Sequence, residues 1–163
     1  MTPGVVPVLE VERLSVEFTT PRGAVRALRD VSLRIEPEDT FGLAGESGSG
    51  KSTLAYAIMR YLSSNGRITG GDIRFKGESL LAKRPEELRR IRGNQIAMVY
   101  QDPTSALNPS MRAGQQIAEV FRIHAGAPSP SAWARALELL ELVNIPDPPV
   151  LARKYPHQLS GGM

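Results

Sequence analysis

The stretch that most limits the fold is GESGSGKS, Gly45 to Ser52, lodged between the apolar run TFGLAG and the helically spaced run GKSTLAYAIMRYL. It matches the spacing G-x-x-x-x-G-K-[ST] in full. Glycines at 45, 48 and 50 let the backbone curl and turn successive N–H groups inward, as a nest for phosphate oxygens. A helix starting near Lys51 adds its unsatisfied N–H groups and the positive end of its dipole. In this arrangement Lys51 reaches the β- and γ-phosphates, Ser52 is placed to hold Mg²⁺, and Thr53 adds a phosphate hydrogen bond. The plain alternative is a flexible Gly/Ser turn, and the strand before it and helix after it argue against that. A dinucleotide fingerprint also fits poorly, because Lys and Ser stand where the phosphates bind. The stretch predicts a nucleoside triphosphate site lined by Gly45, Ser47, Gly48, Ser49, Gly50, Lys51, Ser52 and Thr53.

The segments around this loop fall into three groups. VPVLEVERLSVEF places Leu9, Val11 and Val16 among polar neighbours and predicts a strand of irregular period. ALRDVSLRIEPED alternates more cleanly, with Val31, Leu33 and Ile35 on one side and Ser32 and Arg34 on the other. TTPRGAV between them carries the Pro and Gly of a turn. TFGLAG then predicts a short buried strand before the loop, and Leu54, Ile58 and Leu62 share one face of the helix after it, with Tyr56 and Tyr61 packing inside that helix. GGDIRFKGESLL predicts a strand and turn, PEELRRIRG a short charged helix, and NQIAMVYQDP a strand that breaks before Pro103. The last third is helical. MRAGQQIAEVFRIHAG and SAWARALELLELVNI each hold an apolar stripe, the second through Trp133, Leu137, Leu140 and Val143 or Asn144. The turn-rich GAPSPS separates them, and the proline-rich PDPPVLARKYPHQ follows with room for one short helix. Strand, loop and helix in this order predict an α/β fold.

Composition removes several functions. With 163 residues, 41% hydrophobic and 23% charged, the chain can build a domain with a core. There is no cysteine, which excludes disulfides, thiolate metal sites and a cysteine nucleophile. His124 and His157 stand apart without a ligand pattern, so zinc has little support. A formal charge of +3, spread without a polybasic tract, does not argue for nucleic acid. The N-terminal MTPGVVPVLEVERL lacks the basic leader and apolar run of a signal peptide, and no stretch reaches about 18 apolar residues. A cytoplasmic location is expected.

Three runs in order carry a family resemblance: GESGSGKST, VYQDPTSALNP and LSGGM. From about Val8 to Met163 the chain resembles the nucleotide-binding domain of ABC (ATP-binding cassette) ATPases, whose Walker A loop, Q-loop and signature motif these runs are similar to. RGNQIAMVYQDPTSALNP and YPHQLSGGM resemble in particular the ATPase subunits of oligopeptide, dipeptide and nickel importers. The resemblance implies an incomplete P-loop NTPase of ABC type, with N-terminal antiparallel strands. Residues 1–101 would form the ATP-binding core and residues 102–163 a helical subdomain. It implies ATP and Mg²⁺ as ligands and ATPase activity in the parent protein. Lys51 and Gln101 would act in catalysis, with Gln101 reaching the γ-phosphate, Mg²⁺ and attacking water. Ser52 and Gln101 would hold the metal. Phe18 would stack on adenine, for which only a π-face is needed, or else serve as a core residue. Ser160, Gly161 and Gly162 would face the γ-phosphate held by a partner domain. His157 precedes the signature and is expected on a surface of the helical region.

The implied function is ATP-driven uptake of oligopeptides or dipeptides, with nickel uptake as the alternative. The implied partners are a second ATPase subunit, transmembrane permease subunits and, indirectly, a substrate-binding protein, at the cytoplasmic side of the cell membrane. A soluble ABC-type ATPase for DNA maintenance is disfavoured, because the 107 residues between Lys51 and Leu159 leave no room for a long coiled coil or zinc module. In the family a Walker B strand ending in Asp-Glu follows the signature. Its absence here predicts a fragment that is inactive alone, in the limit a non-catalytic nucleotide-binding remnant.

Overall fold

The computed structural model describes residues 5–100 and 106–160, so Gln101, Gly161 and Gly162 lie outside the described residues. The chain divides into two compact units, residues 1–89 and 90–163.

The first unit is built on an antiparallel sheet. β1 (Leu9–Thr20) and β2 (Gly23–Ile35) form a hairpin whose turn is Pro21 and Arg22, with Thr20 opposite Gly23. β3 (Gly66–Phe75) pairs with the other edge of β1, and the short β4 (Glu78–Ser79) pairs with β3. The strand order is β2-β1-β3-β4.

The irregular period of β1 has a structural cause. Val11, Leu14 and Val16 are all buried, although 11 and 14 differ in parity. A bulge at Arg13, with φ 44°, inserts the residue that returns Leu14 and Val16 to the face of Val11. Asp30 in β2 (φ 51°) and Gly71 in β3 (φ 85°) make the matching adjustments on either side. The displaced amides are bound by side chains: Arg13 N–H donates to Ser32 Oγ at 2.8 Å and Asp30 N–H to Ser15 Oγ at 3.1 Å. At Gly71 only glycine fits, because a Cβ there would stand 2.3 Å from the Glu12 carbonyl oxygen. The buried face of the unit carries Val11, Leu14, Val16, Leu28, Ile73 and Phe75, joined by Leu54 and Ala57 of α1 (Lys51–Ile58) and by Leu80. Each large side chain buried this fully contributes about 1.5–3 kcal/mol. α2 (Pro85–Ile91) is the expected charged helix and buries Leu88.

The second unit is helical. α3 (Ala113–Ala125) ends at Gly126, whose φ of 62° provides a left-handed cap, and α4 (Ser129–Leu142) returns after a short link. Their contact is made by small residues, Ala118 against Ala132 and Ala136, with Ile117 and Phe121 packed at its side. α5 (Pro148–Ala152) brings Leu151 and Ala152 against Leu140, Trp133 and Leu137, and a 3-10 turn follows at Pro156–Gln158. Gly114 is the point of closest approach, since a Cβ there would meet Ala152 Cβ at 2.7 Å and the Trp133 ring at 2.9 Å.

Four expectations need correction. TFGLAG forms no strand, and Phe41 and Leu43 are about half exposed. IAMVY forms none either: Ile96 makes a single bridge to Arg92, residues 97–100 are irregular, and Val99 is 97% exposed. An apolar run becomes a strand only where a neighbour supplies a hydrogen-bond ladder, and no described segment pairs along either run. The helix after the loop stops at Ile58, because Arg60 enters the left-handed region at φ 53°; Tyr61 therefore lies past its end and is exposed. The α4 stripe stops at Leu140. Val143 is exposed and Asn144, at φ 58°, turns the chain away.

Candidate functional site

The loop Gly45–Gly50 crosses the surface of the first unit and feeds directly into α1. Ser49 N–H donates to the Glu46 carbonyl at 3.2 Å, closing the turn. Gly48 (φ 81°) and Gly50 (φ 95°) both lie in the left-handed region. Gly50 is constrained twice over. A Cβ there would stand 2.8 Å from Leu28 Cδ2 and 2.9 Å from the Ala27 carbonyl oxygen, so the loop exit is seated on β2. Sequence reasoning identified the glycine but missed this seat, since Ala27 and Leu28 are more than twenty residues away and carry no mark of it.

The first bond of the α1 ladder runs from Leu54 N–H to the Gly50 carbonyl at 2.9 Å. The N–H groups of Lys51, Ser52 and Thr53 precede that ladder and stand at the open, positive end of the helix. Gly50 offers no capping side chain, and the first turn contains no acidic residue. Positive potential at this end is therefore uncompensated by the helix itself. The Lys51 ammonium joins it, donating to the carbonyl oxygens of Gly45 and Glu46 at 2.7 Å each, with Ser49 Oγ at 3.4 Å. Backbone donors, an ammonium and hydroxyls converge on one loop, which is the donor set a polyphosphate requires.

Divalent-cation binding is a separate question. Among the described residues no group of three or more His, Asp or Glu side chains could hold a metal ion. Ser52 at the exposed start of α1 offers one hard oxygen, which fits a Mg²⁺ ion whose other ligands are phosphate and water oxygens.

Of the remaining expected residues, Phe18 lies in the first unit and His157 and Ser160 in the second. Phe18 is half buried near the end of β1, opposite Val25 and Gly66, and its ring lies over Gly66: a Cβ on that glycine would be 2.7 Å from Phe18 Cε1. Ser160 is exposed at the end of the second unit, and His157 is exposed and stacked on Tyr155, ring centroids 5.7 Å apart. Gln101, Gly161 and Gly162 lie outside the described residues. No helix among the described residues is long and apolar enough to cross a membrane.

Comparison with known proteins is consistent in family. Residues 28–163 match the family model described as ABC transporter. The dipeptide transport ATP-binding protein DppD of Lactococcus lactis is 47% identical over 157 residues, 96% of this chain and 45% of the relative. The oligopeptide transport ATP-binding protein OppD of Salmonella typhimurium is 43% identical, over 95% of this chain and 46% of its own length. The chain thus spans about half the length of the curated relatives it matches. Among solved structures, the ATP-binding cassette MJ0796, a dimer in a post-hydrolysis state bound to ADP and Pi, superposes with a TM-score of 0.80. It is 26% identical, and the match covers 94% of this chain and 64% of that one.

Proposed function

The chain belongs to the ABC transporter family, and we propose that it supplies the ATP-binding part of an importer in which nucleotide binding and hydrolysis drive uptake of oligopeptides or dipeptides. The observation that carries the nucleotide reading is the loop Gly45–Gly50, where the Lys51 ammonium and the uncapped start of α1 converge without an acidic residue in the first turn. Peptide uptake rests on relatives named for dipeptide and oligopeptide transport.

In this reading residues 45–53 wrap the phosphates, with Lys51 on the β- and γ-phosphates. Ser52, and Gln101 from outside the described residues, hold Mg²⁺, which neutralises developing phosphate charge when bound. Phe18 offers its ring to adenine. Ser160, Gly161 and Gly162 serve the nucleotide of a second ATPase subunit, as the dimeric state of the solved cassette suggests. Residues 1–101 act as the ATP-binding core and residues 102–163 as the helical part facing permease subunits, at the cytoplasmic side of the membrane.

The test is genetic. Disrupting the gene in its host should abolish uptake of labelled di- or oligopeptides, and the wild-type gene should restore it where a Lys51→Ala allele does not. Loss of nickel uptake with peptide uptake intact would replace the peptide assignment by nickel. Restoration by Lys51→Ala would remove the nucleotide reading itself.

A further inference from the structure

A second surface carries unspent charge, within the helical unit. A groove of about 630 Å³ runs along α3 and α4, bordered by Arg112, Arg122 and Arg153, with Trp133 in its wall and Gln115 and Glu119 along its edge. We propose that this groove receives an acidic polypeptide segment of a partner protein.

Arg26, Arg34, Arg67, Arg74, Arg84 and Arg135 each pair with a carboxylate, whereas Arg13, Arg22, Arg29, Arg89 and Arg90 pair with none among the described residues; the groove differs in gathering three such arginines around one cavity. Among the described residues no carboxylate lies within ion-pair distance of Arg112, Arg122 or Arg153. Arg112 instead lies over the Tyr155 ring, 5.9 Å from its centroid. Three guanidiniums against one carboxylate, Glu119, leave the groove at a formal +2. α4 starts at Ser129 on the same groove with no side-chain cap and no acidic residue in its first turn, which adds to the positive field.

The spacing decides the kind of anion. Arg112 and Arg122 are ten residues apart along α3, about 15 Å at the helical rise of 1.5 Å per residue. One phosphate or carboxylate cannot bridge that distance, whereas an extended chain covers it in about five residues. The half-buried indole of Trp133 adds an apolar wall to the groove, suited to the aliphatic parts of a peptide. Glu119 repels a carboxylate at its own position. Glu119 stands two turns past Arg112 but only one turn before Arg122, so an acidic side chain is favoured toward the Arg112 end and a neutral or basic one opposite Glu119.

Trp133 is the single tryptophan of the sequence, so its emission reports the groove. Hexaglutamate titrated into the protein as its gene encodes it should change the fluorescence that a Trp133→Phe variant lacks, and the change should saturate. Arg122→Ala and Arg153→Ala should each weaken binding about tenfold, as expected for loss of one hydrogen bond to a charged group. Both residues are exposed, so the variants should keep the wild-type circular dichroism. Glu119→Gln should tighten binding, and salt well above physiological strength should weaken it. The proposal is overturned if hexalysine binds as well as hexaglutamate, or if the arginine variants bind it as wild type does. It is equally overturned if inorganic phosphate alone matches the peptide, or if only phosphatidylglycerol vesicles give a signal.

Discussion

The Lys51 ammonium lies 2.7 Å from the carbonyl oxygen of Gly45, at the opposite end of the same loop. With the Glu46 carbonyl also 2.7 Å away, one side chain ties the start of the glycine-rich stretch to the start of α1. Lys51 thus has a structural task before any nucleotide arrives. In Lys51→Met, which keeps the stem and removes the donors, the Ser49 amide, whose bond to the Glu46 carbonyl closes the turn, should exchange hydrogen about tenfold faster without nucleotide, the loss expected for one such charged hydrogen bond. Native-state exchange measures this; unchanged rates would mean the tie holds nothing.

Two glycines with positive φ should respond differently to the same added methyl. Gly50→Ala meets both a left-handed backbone and the Ala27 carbonyl at 2.9 Å, whereas Gly48→Ala meets open space. Strain alone costs about 1–2 kcal/mol at position 48, and position 50 should lose clearly more. Urea unfolding of both variants checks the order, and equal losses would contradict the seating of the loop on β2.

Gly114→Ala pits helix propensity against packing. Alanine is favoured over glycine within a helix by about 1 kcal/mol. Here its Cβ would stand 2.7 Å from Ala152 Cβ and 2.9 Å from the Trp133 ring, neither of which is the far end of a flexible chain. Net destabilisation is expected, with altered Trp133 emission. A stabilised variant with unchanged emission would show that α3 can shift at no cost.

Acid should expose the role of Asp72. Partial burial pushes its carboxyl up, but the Ser79 hydroxyl at 2.6 Å, the Ile73 N–H at 2.8 Å and the Arg74 guanidinium at 3.2 Å outweigh this and hold it below the ordinary aspartate value. A depressed folded value stabilises the fold above the unfolded value, and that contribution disappears as pH falls through the folded one. The stability gap between wild type and Asp72→Asn should therefore be full at neutral pH and shrink below about pH 4. A gap that stays constant into strong acid would contradict the assignment.

Local chemistry was legible in the sequence, and long-range pairing was not. The loop and its helix could be read from Gly45 to Ser52 because their geometry depends on adjacent residues. The irregular spacing of Leu9, Val11 and Val16 was visible too, but its cause, bulges at Arg13, Asp30 and Gly71 side by side, needs three strands that the chain brings together from a distance. TFGLAG and IAMVY have strand composition, yet composition supplies no ladder partner. In α4 the apolar stripe pointed to Trp133, Leu137 and Leu140, while the deepest positions are Ala132 and Ala136, where small side chains allow α3 to approach.

Binding of a polyphosphate by residues 45–53 is tested most directly by calorimetric titration of the protein with ATP and with AMP. The β- and γ-phosphates are the groups that Lys51 and the start of α1 address. ATP should therefore bind at least about a hundredfold more tightly than AMP, equivalent to two charged hydrogen bonds. Lys51→Ala should remove most of that difference. Equal affinity for the two nucleotides, or an undiminished preference for ATP in Lys51→Ala, would contradict the account.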